Sequence, residues 1–584
     1  MAGNGNDNDK PRREESKAEA AKRDSRQLRG TIAQALASDA THFNEDDALL
    51  LKFHGIYQCV NRDNWSARRD AGQEAEYFYM VRVAIPGGVL TAEQYLALDR
   101  IADECANGSL RITTRQGIQF HAVYKPRLAA TLAGIGRHLM TTLAACGDVE
   151  RNVMTCPAPL ADEPHRLVRE LAGRIARELR PATRAYREIW LGGEKAVSAG
   201  ETEPFYGEQY LPRKFKTGVA LATDNSVDVY SDDCGLIALV EDGRVSGFNV
   251  LVGGGQGMTH NRADTFVTLA QPIAFVGVEH AVEAVRAVAA IFRDHGNRAD
   301  RKHARLKYLI AEWGLPRFCE EFRRRVSFPV APPVTLPRPE FHDFLGWQPQ
   351  QDGKWFYGVF VPNGRVVDRP EQRTRSALRS LVERYQPGVC VTPHQNLLLT
   401  NLDESALQDV EQTLSAHGVK LATELSGARR YSVACPALPT CGVALTEAER
   451  ALPQVVARLE RELAALGLEG EPLTLRMTGC PNGCARPYTA DIGLVGRKPG
   501  ERYNVYVGGG LAGDRIADLY AADVHIDDLI AVLHPLLAEW GRQRRAGEGF
   551  SDFYQRLLGR TTPRNRLSGV EDETKDRIPL GVTQ

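Results

Sequence analysis

Short apolar strands alternate with amphipathic helical segments along most of the chain. Residues 79–85 and 110–123 have the patterns of strands, and residues 91–105 between them have the apolar period of a helix. The same helical period recurs in four later segments, at 165–179, 280–295, 452–466 and 526–544. This mixture predicts an α+β protein.

Segments of the first half are echoed in the second half. Three pairs lie 276 or 279 residues apart, namely 79–88 with 355–364, 113–119 with 392–398, and 156–159 with 435–438. A fourth pair, 249–255 with 504–510, lies 255 residues apart. Four echoes in the same order favour an internal duplication over coincidence. We therefore expect two similar halves with pseudo-twofold symmetry and one site at their junction.

The ends of the chain and the boundary between the copies differ from the rest in composition. Residues 1–27 hold thirteen charged residues and almost no large apolar side chain, so we expect a flexible arm. Five prolines within residues 328–339 predict a linker at 329–339. Residues 559–584 are expected to form a flexible tail.

Composition and charge limit the class of function. Apolar residues make up 43% and charged residues 25% of 584, which is typical of a soluble protein with several compact units. The net charge of −1 gives no indication of a general nucleic-acid or membrane-surface binder. No run approaches the ~18 apolar residues of a membrane span. An apolar secretory signal is also lacking, so we expect a cytoplasmic protein.

Four of the eleven cysteines form two pairs, Cys435 with Cys441 and Cys480 with Cys484. In a reducing compartment such clustering indicates a metal or redox site. Four thiolates would complete an iron–sulfur cubane, whereas structural zinc sites usually space their cysteines about two to four residues apart. The spacing favours iron–sulfur and leaves zinc, or a redox disulfide in the second pair, as alternatives.

The first copy lacks this cysteine set and concentrates cations instead. Along the predicted strand 110–123, the period of two places five polar side chains on one face: Arg111, Thr113, Arg115, Gln119 and His121. Arg82 interrupts the apolar strand 79–85, where an unpaired charge would be costly. Further cations stand at Arg151, Arg213, Lys214, Lys216 and Arg305. Such a surface is suited to an anionic ligand.

These motifs resemble those of the siroheme-containing nitrite and sulfite reductase family. Within it, the chain is most similar to the assimilatory sulfite reductase hemoproteins, the beta subunits of NADPH-dependent enzymes. The resemblance extends from about residue 28 to residue 553 and rests on the segments 53–57, 113–116, 211–216, 435–441 and 478–484.

The resemblance implies an internally duplicated fold with the cofactors, siroheme and a 4Fe-4S cluster, at the junction of the halves. It implies a ferredoxin-like half-domain at 28–160 paired with another at 340–430. It also implies a siroheme- and substrate-binding domain at 161–328 and an iron–sulfur and siroheme domain at 431–558.

The resemblance also implies roles for particular residues. The cluster would be held by Cys435, Cys441, Cys480 and Cys484, and the Cys484 sulfur would bridge the cluster to the siroheme iron. The substrate-facing cations would be Arg82, Arg151, Lys214 and Lys216. Siroheme would be held by Arg111, Arg115, Gln119, Arg213, Arg305 and Asn482. Arg305 stands where relatives often have lysine, and Ala485 where they have glycine.

The implied activity is the six-electron reduction of sulfite to sulfide in cysteine biosynthesis. The chain has no convincing flavin or nicotinamide motif, so a partner would supply the electrons. A flavoprotein reductase that carries FAD and FMN and oxidises NADPH fits the resemblance best, and ferredoxin is the second choice. A nitrite reductase with the same cofactors, or a zinc-stapled binding protein, remains an alternative.

Overall fold

Four five-stranded sheets and one two-stranded sheet form the framework of the described part of the chain. The structure is a computed structural model that describes residues 14–193, 203–337 and 340–559. The strands of the first copy are β1 (Ile56–Val60), β2 (Tyr77–Val83), β3 (Val89–Leu90), β4 (Leu110–Ile112), β5 (Ile118–Val123), β6 (Met154–Thr155), β7 (Thr217–Leu221), β8 (Cys234–Glu241), β9 (Arg244–Val252) and β10 (Gln271–Val276). Those of the second copy are β11 (Gly346–Pro349), β12 (Trp355–Val359), β13 (Arg365–Val366), β14 (Asp368–Arg369), β15 (Gln372–Arg373), β16 (Gly388–Val391), β17 (Leu397–Leu402), β18 (Ser432–Ala434), β19 (Leu475–Thr478), β20 (Ile492–Lys498), β21 (Arg502–Val507) and β22 (Asp518–His525).

Helices cover these sheets. In the first copy they are α1 (Lys17–Arg23), α2 (Ile32–Leu36), α3 (Glu45–Leu50), α4 (Trp65–Asp70), α5 (Ala92–Cys105), α6 (Leu128–Arg137), α7 (Glu163–Glu178), α8 (Ala185–Trp190), α9 (Ala281–His295), α10 (Leu306–Trp313) and α11 (Leu315–Arg325). In the second copy they are α12 (Thr374–Tyr385), α13 (Leu407–Ala416), α14 (Gly427–Arg430), α15 (Leu452–Ala465), α16 (Leu529–Gln543) and α17 (Phe550–Leu557). The five helices predicted from the apolar period are α5, α7, α9, α15 and α16.

The sheet topology confirms the duplication. The sheet β6-β7-β8-β9-β10 and the sheet β18-β19-β20-β21-β22 have the same strand order. In both, the first two neighbouring pairs are parallel and the last two are antiparallel. The predicted α+β class is also confirmed, with helices and sheets in each copy.

The other two large sheets exchange an edge strand between the copies. The first has the order β1-β2-β5-β4-β13 and the second β11-β12-β17-β16-β3. Strand β13 of the second copy pairs with β4, which places Arg365 opposite Arg111. In return, β3 of the first copy pairs with β16. Each sheet therefore needs both copies, and this fixes the two halves against each other.

The predicted strand at 110–123 is wrong as a single strand, because β4 and β5 form a hairpin. The turn is closed by the Thr113 N–H, which donates to the Gly117 carbonyl at 2.8 Å, and Gln116 has a φ of 50°. The Thr113 hydroxyl also accepts from the N–H groups of Arg115 and Gly117. Arg115 therefore lies in the turn and does not share a strand face with Arg111.

The segment expected to be a flexible N-terminal arm is partly folded. Its residues 1–13 lie outside the described residues, but 14–27 include helix α1. Lys22 in this helix is fully buried and pairs with Glu19 at 2.6 Å, and Asp148 lies at 3.6 Å. These opposite charges neutralise one another, which explains how a charged segment can be buried against the rest of the protein. The predicted tail lies outside the described residues from 560 onward.

Candidate functional site

Two loops at one sheet edge carry the four clustered cysteines. Strands β18 and β19 are parallel neighbours, so their carboxyl ends meet at the same edge. Cys435 directly follows β18, and Cys480 follows β19 after one glycine. A side chain in place of the Gly479 hydrogen would lie 2.6 Å from the Thr446 carbonyl oxygen, so only glycine fits there.

The cysteine sulfurs lie among backbone N–H groups and among one another. The Gly479 N–H donates to the Cys435 sulfur at 3.4 Å. Burial, followed by the neighbouring Cys484, raises the pKa of Cys435, Cys441 and Cys480. Backbone N–H groups oppose that shift in all three cases. The thiols of these cysteines therefore lose their protons readily only when a cation is bound.

Zinc and an iron–sulfur cubane place different demands on four cysteines. Within the described ranges, no three His, Cys, Asp or Glu side chains converge as ligands of a single ion. A mononuclear zinc site needs such convergence, whereas the four cysteines of a cubane each bind a different iron. The two cysteine loops offer four thiols, the number of ligands that a cubane takes.

A pocket beside Cys484 is built from both copies. Cys484 is the only one of the four cysteines that is exposed. The pocket is lined by Thr114, Arg115, Met154, Lys214, Lys216, Val227, Asp228, Ser231, Asp232, Gln256, Gly257, Arg305, Asn482, Gly483, Cys484 and Arg486. It brings together six of the predicted site residues: Arg115, Lys214, Lys216, Arg305, Asn482 and Cys484.

Two arginines in this pocket are held by consecutive carboxylates. The Arg305 Nε and Nη2 lie 2.9 and 2.7 Å from the two carboxylate oxygens of Asp233. Arg115 Nη1 donates to Asp232 at 2.7 Å, and its Nη2 donates to the Asn152 carbonyl at 2.7 Å. Planar guanidinium groups held in this way are oriented before any ligand binds.

The two lysines have no such partner. Among the described residues, neither the Lys214 nor the Lys216 ammonium group has a hydrogen bond or a carboxylate within 4 Å. Burial, with Arg115 and Arg305 nearby, lowers the pKa of Lys216 to about 8. Burial and the Lys216 charge lower the pKa of Lys214 as well. Unpartnered cations this close together are stabilised by a bound anion.

Three other predicted residues form a second group. Arg82 Nη1 donates to the Cys146 sulfur at 2.9 Å, and Arg151 Nη1 reaches the Ala145 carbonyl at 3.3 Å. Gln119 lies against Arg82, with 3.0 Å between the Arg82 Nε and the Gln119 amide oxygen when the amide is turned toward it. None of the three lines the pocket beside Cys484.

Two predicted cofactor contacts are placed elsewhere. Arg213 lies 3.6 Å from Asp148 and does not line the pocket. Arg111 is buried, and its three guanidinium nitrogens donate to Glu449, to the Ile112 carbonyl and to the Ala434 carbonyl. Three of its five N–H donors are therefore used by the protein at the base of the cysteine loop.

The pocket residues that sequence reasoning missed include Asp228, Gln256 and Arg486. Gln256 follows the Gly253–Gly255 triplet, and the Gly483 backbone packs so closely that a Cβ would lie 3.2 Å from the Gln256 carbonyl oxygen. Arg486 follows Cys484 by two residues. The glycine triplet and the second cysteine pair were the only sequence signals near these residues.

The residues present fit a polyanionic macrocycle beside a thiolate-bound cluster. Siroheme carries eight carboxylates, and the pocket offers oriented arginines and unpartnered lysines. The Arg115 Nε, a hydrogen-bond donor of this pocket residue, is also buried without a partner among the described residues. Unsatisfied buried polar atoms on a pocket wall are expected where a polar ligand belongs.

Comparisons with known proteins agree with this arrangement. The family model described as nitrite and sulphite reductase 4Fe-4S domain matches residues 171–330 and 427–557. The model described as nitrite/sulfite reductase ferredoxin-like half domain matches residues 71–137 and 348–417. Each model therefore matches once in each copy.

Similar curated proteins cover nearly the whole chain. The sulfite reductase (NADPH) hemoprotein beta-component of Myxococcus xanthus is 44% identical, over 93% of this chain and 96% of its own length. The protein of the same name from Staphylococcus haemolyticus is 42% identical, over 92% and 94%. The sulfite reductase (ferredoxin) of Synechococcus elongatus is 42% identical, over 93% and 89%.

A solved structure has the same fold. The Mycobacterium tuberculosis NirA protein matches with a TM-score of 0.73 at 23% identity, over 93% of this chain and 97% of that one. None of the helices in the described ranges combines the length and apolar character that crossing a membrane requires. With both family models matched in each copy and relatives above 40% identity over nine-tenths of its length, the chain belongs to the nitrite and sulphite reductase family.

Proposed function

We propose that this protein is the hemoprotein component of a sulfite reductase, which reduces sulfite to sulfide with six electrons at a siroheme coupled to a 4Fe-4S cluster. The observation that carries the proposal is the pair of unpartnered lysines, Lys214 and Lys216, in the pocket that exposes Cys484. Relatives named as sulfite reductases match over nearly the whole chain.

The cofactors would be held by residues of both copies. Cys435, Cys441, Cys480 and Cys484 would hold the cluster, with the Cys484 sulfur as the bridge. Siroheme would be held by Arg115, Arg305 and Asn482 from the pocket wall, together with Arg111, Gln119 and Arg213. When bound, the two cofactors supply electron storage and an open metal position for the substrate anion.

Cations of the first copy would bind sulfite and supply protons. Arg82, Arg151, Lys214 and Lys216 would face the substrate, whose oxygens gain negative charge as they leave as water. Fixed cations stabilise that charge, and a lysine ammonium can also donate a proton.

The proposed domains have the same order along the chain as the matches of the two family models. The half-domains would be 28–160 and 340–430, joined by the exchange of β3 and β13. The cofactor domains would be 161–328 and 431–558, with 329–339 as the linker. We also propose a cytoplasmic location, because none of the eleven cysteines, all of which the structure describes, forms a disulfide.

The test of the activity is turnover by the purified protein with each anion. We expect a siroheme absorption spectrum, acid-labile sulfide, and a far larger kcat/KM for sulfite than for nitrite. A larger kcat/KM for nitrite than for sulfite would show that nitrite is the substrate. A colourless protein containing zinc would overturn the proposal altogether.

Electrons would arrive from a flavoprotein reductase that oxidises NADPH, with ferredoxin as the second candidate. Relatives named for each type match the chain at similar identity, so the names do not separate the two. Reconstitution with each donor decides: a rate with reduced ferredoxin and none with the flavoprotein would reverse our choice.

Replacing Lys216 by methionine is expected to slow sulfite turnover while siroheme stays bound. Removal of a positioned proton donor typically costs about 10²–10⁴-fold in rate. The lysine acts in its charged form, so its contribution is lost as pH rises through its pKa. That pKa is about 8 in the protein alone, and bound anions raise it.

The measurement is kcat against pH for the wild type and Lys216→Met, with the siroheme spectrum recorded for both. The wild type should lose rate at a pH above about 8, where the raised pKa of Lys216 lies, and the variant should lack that alkaline limb. Lys498→Met, at an exposed lysine that pairs with Asp523, is the control. Loss of siroheme from Lys216→Met would show that the lysine holds the cofactor instead.

A further inference from the structure

Arg486 lies where the two copies meet, two residues after Cys484. Its Nη2 donates to the Pro393 carbonyl at 2.9 Å, and its Nη1 reaches the Thr114 carbonyl at 3.4 Å. Thr114 and Pro393 are 279 residues apart, which is the offset of the duplication. They are therefore equivalent positions in the equivalent turns, and one guanidinium group holds both.

A buried carboxylate of the first copy completes the binding of this guanidinium group. Asp228 Oδ2 lies 2.7 Å from the Arg486 Nε and 2.9 Å from the Arg476 Nη1. Asp228 is 1% exposed and Arg476 is fully buried. The position of Arg486 is therefore fixed by charge as well as by the two carbonyl groups, in a region of low dielectric constant.

The same contacts fix the backbone of Cys484. The Thr114 hydroxyl donates to the Cys484 carbonyl at 3.0 Å, so the turn that Arg486 holds also holds Cys484. Arg476 Nη1 reaches the Arg486 carbonyl at 3.3 Å. Arg486 itself has a φ of 57°, which a residue other than glycine keeps only when its surroundings determine it.

Arg486 lines the pocket, so direct contact with the macrocycle is the competing role. Its Nη2 is used by Pro393, and its buried Nε lies 2.7 Å from Asp228 Oδ2 in an ion pair that lacks hydrogen-bond geometry. A guanidinium group with these partners acts on the pocket through the backbone it holds. A single point charge on a lysine cannot reach the two turn carbonyls and Asp228 together.

We propose that Arg486 is a positioning residue that sets the orientation of the Cys484 sulfur toward the pocket. It does so by binding the equivalent turns of both copies to the loop that carries this cysteine. The inference rests on the proposed function, since it assigns Cys484 as the sulfur shared by the cluster and siroheme.

The test compares Arg486→Lys and Arg486→Met with the wild type, each as the full chain carrying both cofactors. We expect both variants to retain iron and acid-labile sulfide but to show altered siroheme absorption and altered magnetic coupling in EPR spectra. We expect kcat to fall about 10–100-fold, as is typical for residues that orient metal ligands, with KM for sulfite little changed. Arg450→Met, at an exposed arginine paired with Asp63, is the matched control.

A second variant covers the case in which loss of the buried arginine prevents folding. Thr114→Val removes the hydroxyl that holds the Cys484 carbonyl and leaves every charge in place. Thr114→Val should change the siroheme absorption and EPR spectra in the same direction as the arginine variants, but by a smaller amount. Wild-type spectra in Thr114→Val and in either arginine variant would overturn the inference. Absence of siroheme and cluster from the wild type would instead overturn the proposed function.

Discussion

Cys484→Ser is expected to reduce sulfite turnover to background, with loss of the coupled cofactor pair. Cys484 is the exposed member of the four cysteines and lies on the wall of the cation-lined pocket. A serine hydroxyl is a hard ligand and a poor substitute for a thiolate on iron–sulfur iron. Because even residues that only orient ligands affect activity by about 10–100-fold, loss of the ligand itself should exceed that range.

The measurement is turnover together with iron, acid-labile sulfide and siroheme content. Cys319→Ser, at a partly exposed cysteine on α11, is the control and should behave as the wild type. Circular dichroism separates loss of cofactor from loss of fold. The serine variant should keep its fold at this point, because the Thr114 contact uses the Cys484 carbonyl and not its thiol. Wild-type turnover in Cys484→Ser would show that this sulfur is not the bridge.

The duplication could be predicted because it survives as local sequence echoes at a nearly constant offset. The amphipathic helices could be predicted because their apolar period is local, and α5 is also marked by a capping box in which Thr91 accepts the Gln94 N–H. The exchange of β3 and β13 could not be predicted. Two-residue edge strands carry no periodicity, and their partners lie in the other copy.

The hairpin at 110–123 was missed because its alternation continues through the turn. Thr113 and Gln119 keep their places in the period of two, but Gln116 adopts a positive φ and reverses the chain. The equivalent residue of the second copy, Gln395, has a φ of 65°. A glutamine in this conformation is uncommon, so its type gave no turn signal.

Part of the site was evident from residue type and spacing, and part was not. The cysteine pairs and the Lys214–Lys216 segment stand out in the sequence, and Cys484, Lys214 and Lys216 meet at one pocket. Asp228 and Arg476 are ordinary charged residues in the sequence, yet the fold pairs them at 2.9 Å in the interior. Pairing between residues this far apart along the chain follows from the tertiary structure alone.

Glu449→Gln is expected to lower the free energy of unfolding by about 3–5 kcal/mol, because it removes the negative partner of a buried ion cluster. Glu449 lies 3.1 Å from Arg111 and 2.7 Å from Arg365. These arginines stand directly opposite each other on the paired strands β4 and β13. Like charges in that position repel, and Glu449 is the carboxylate that neutralises them.

The matched control is Glu447→Gln, two residues earlier. Glu447 pairs with the exposed Arg450, and such surface pairs contribute only about 0–1 kcal/mol. The measurement is the urea midpoint of unfolding for both variants and the wild type at neutral pH.

The pH dependence of stability gives an independent check on the same cluster. Burial opposes ionisation of Glu449, but Arg365 and Arg111 outweigh it, so the pKa of the carboxyl is lowered in the folded protein. Its contribution is therefore present above the ordinary glutamate pKa of about 4.3 and is lost as pH falls through the folded value. Glu449→Gln should remove this contribution and flatten the acid limb of the stability curve relative to the wild type. Equal stability of the two variants at neutral pH would show that the exchanged strand β13 does not depend on this carboxylate.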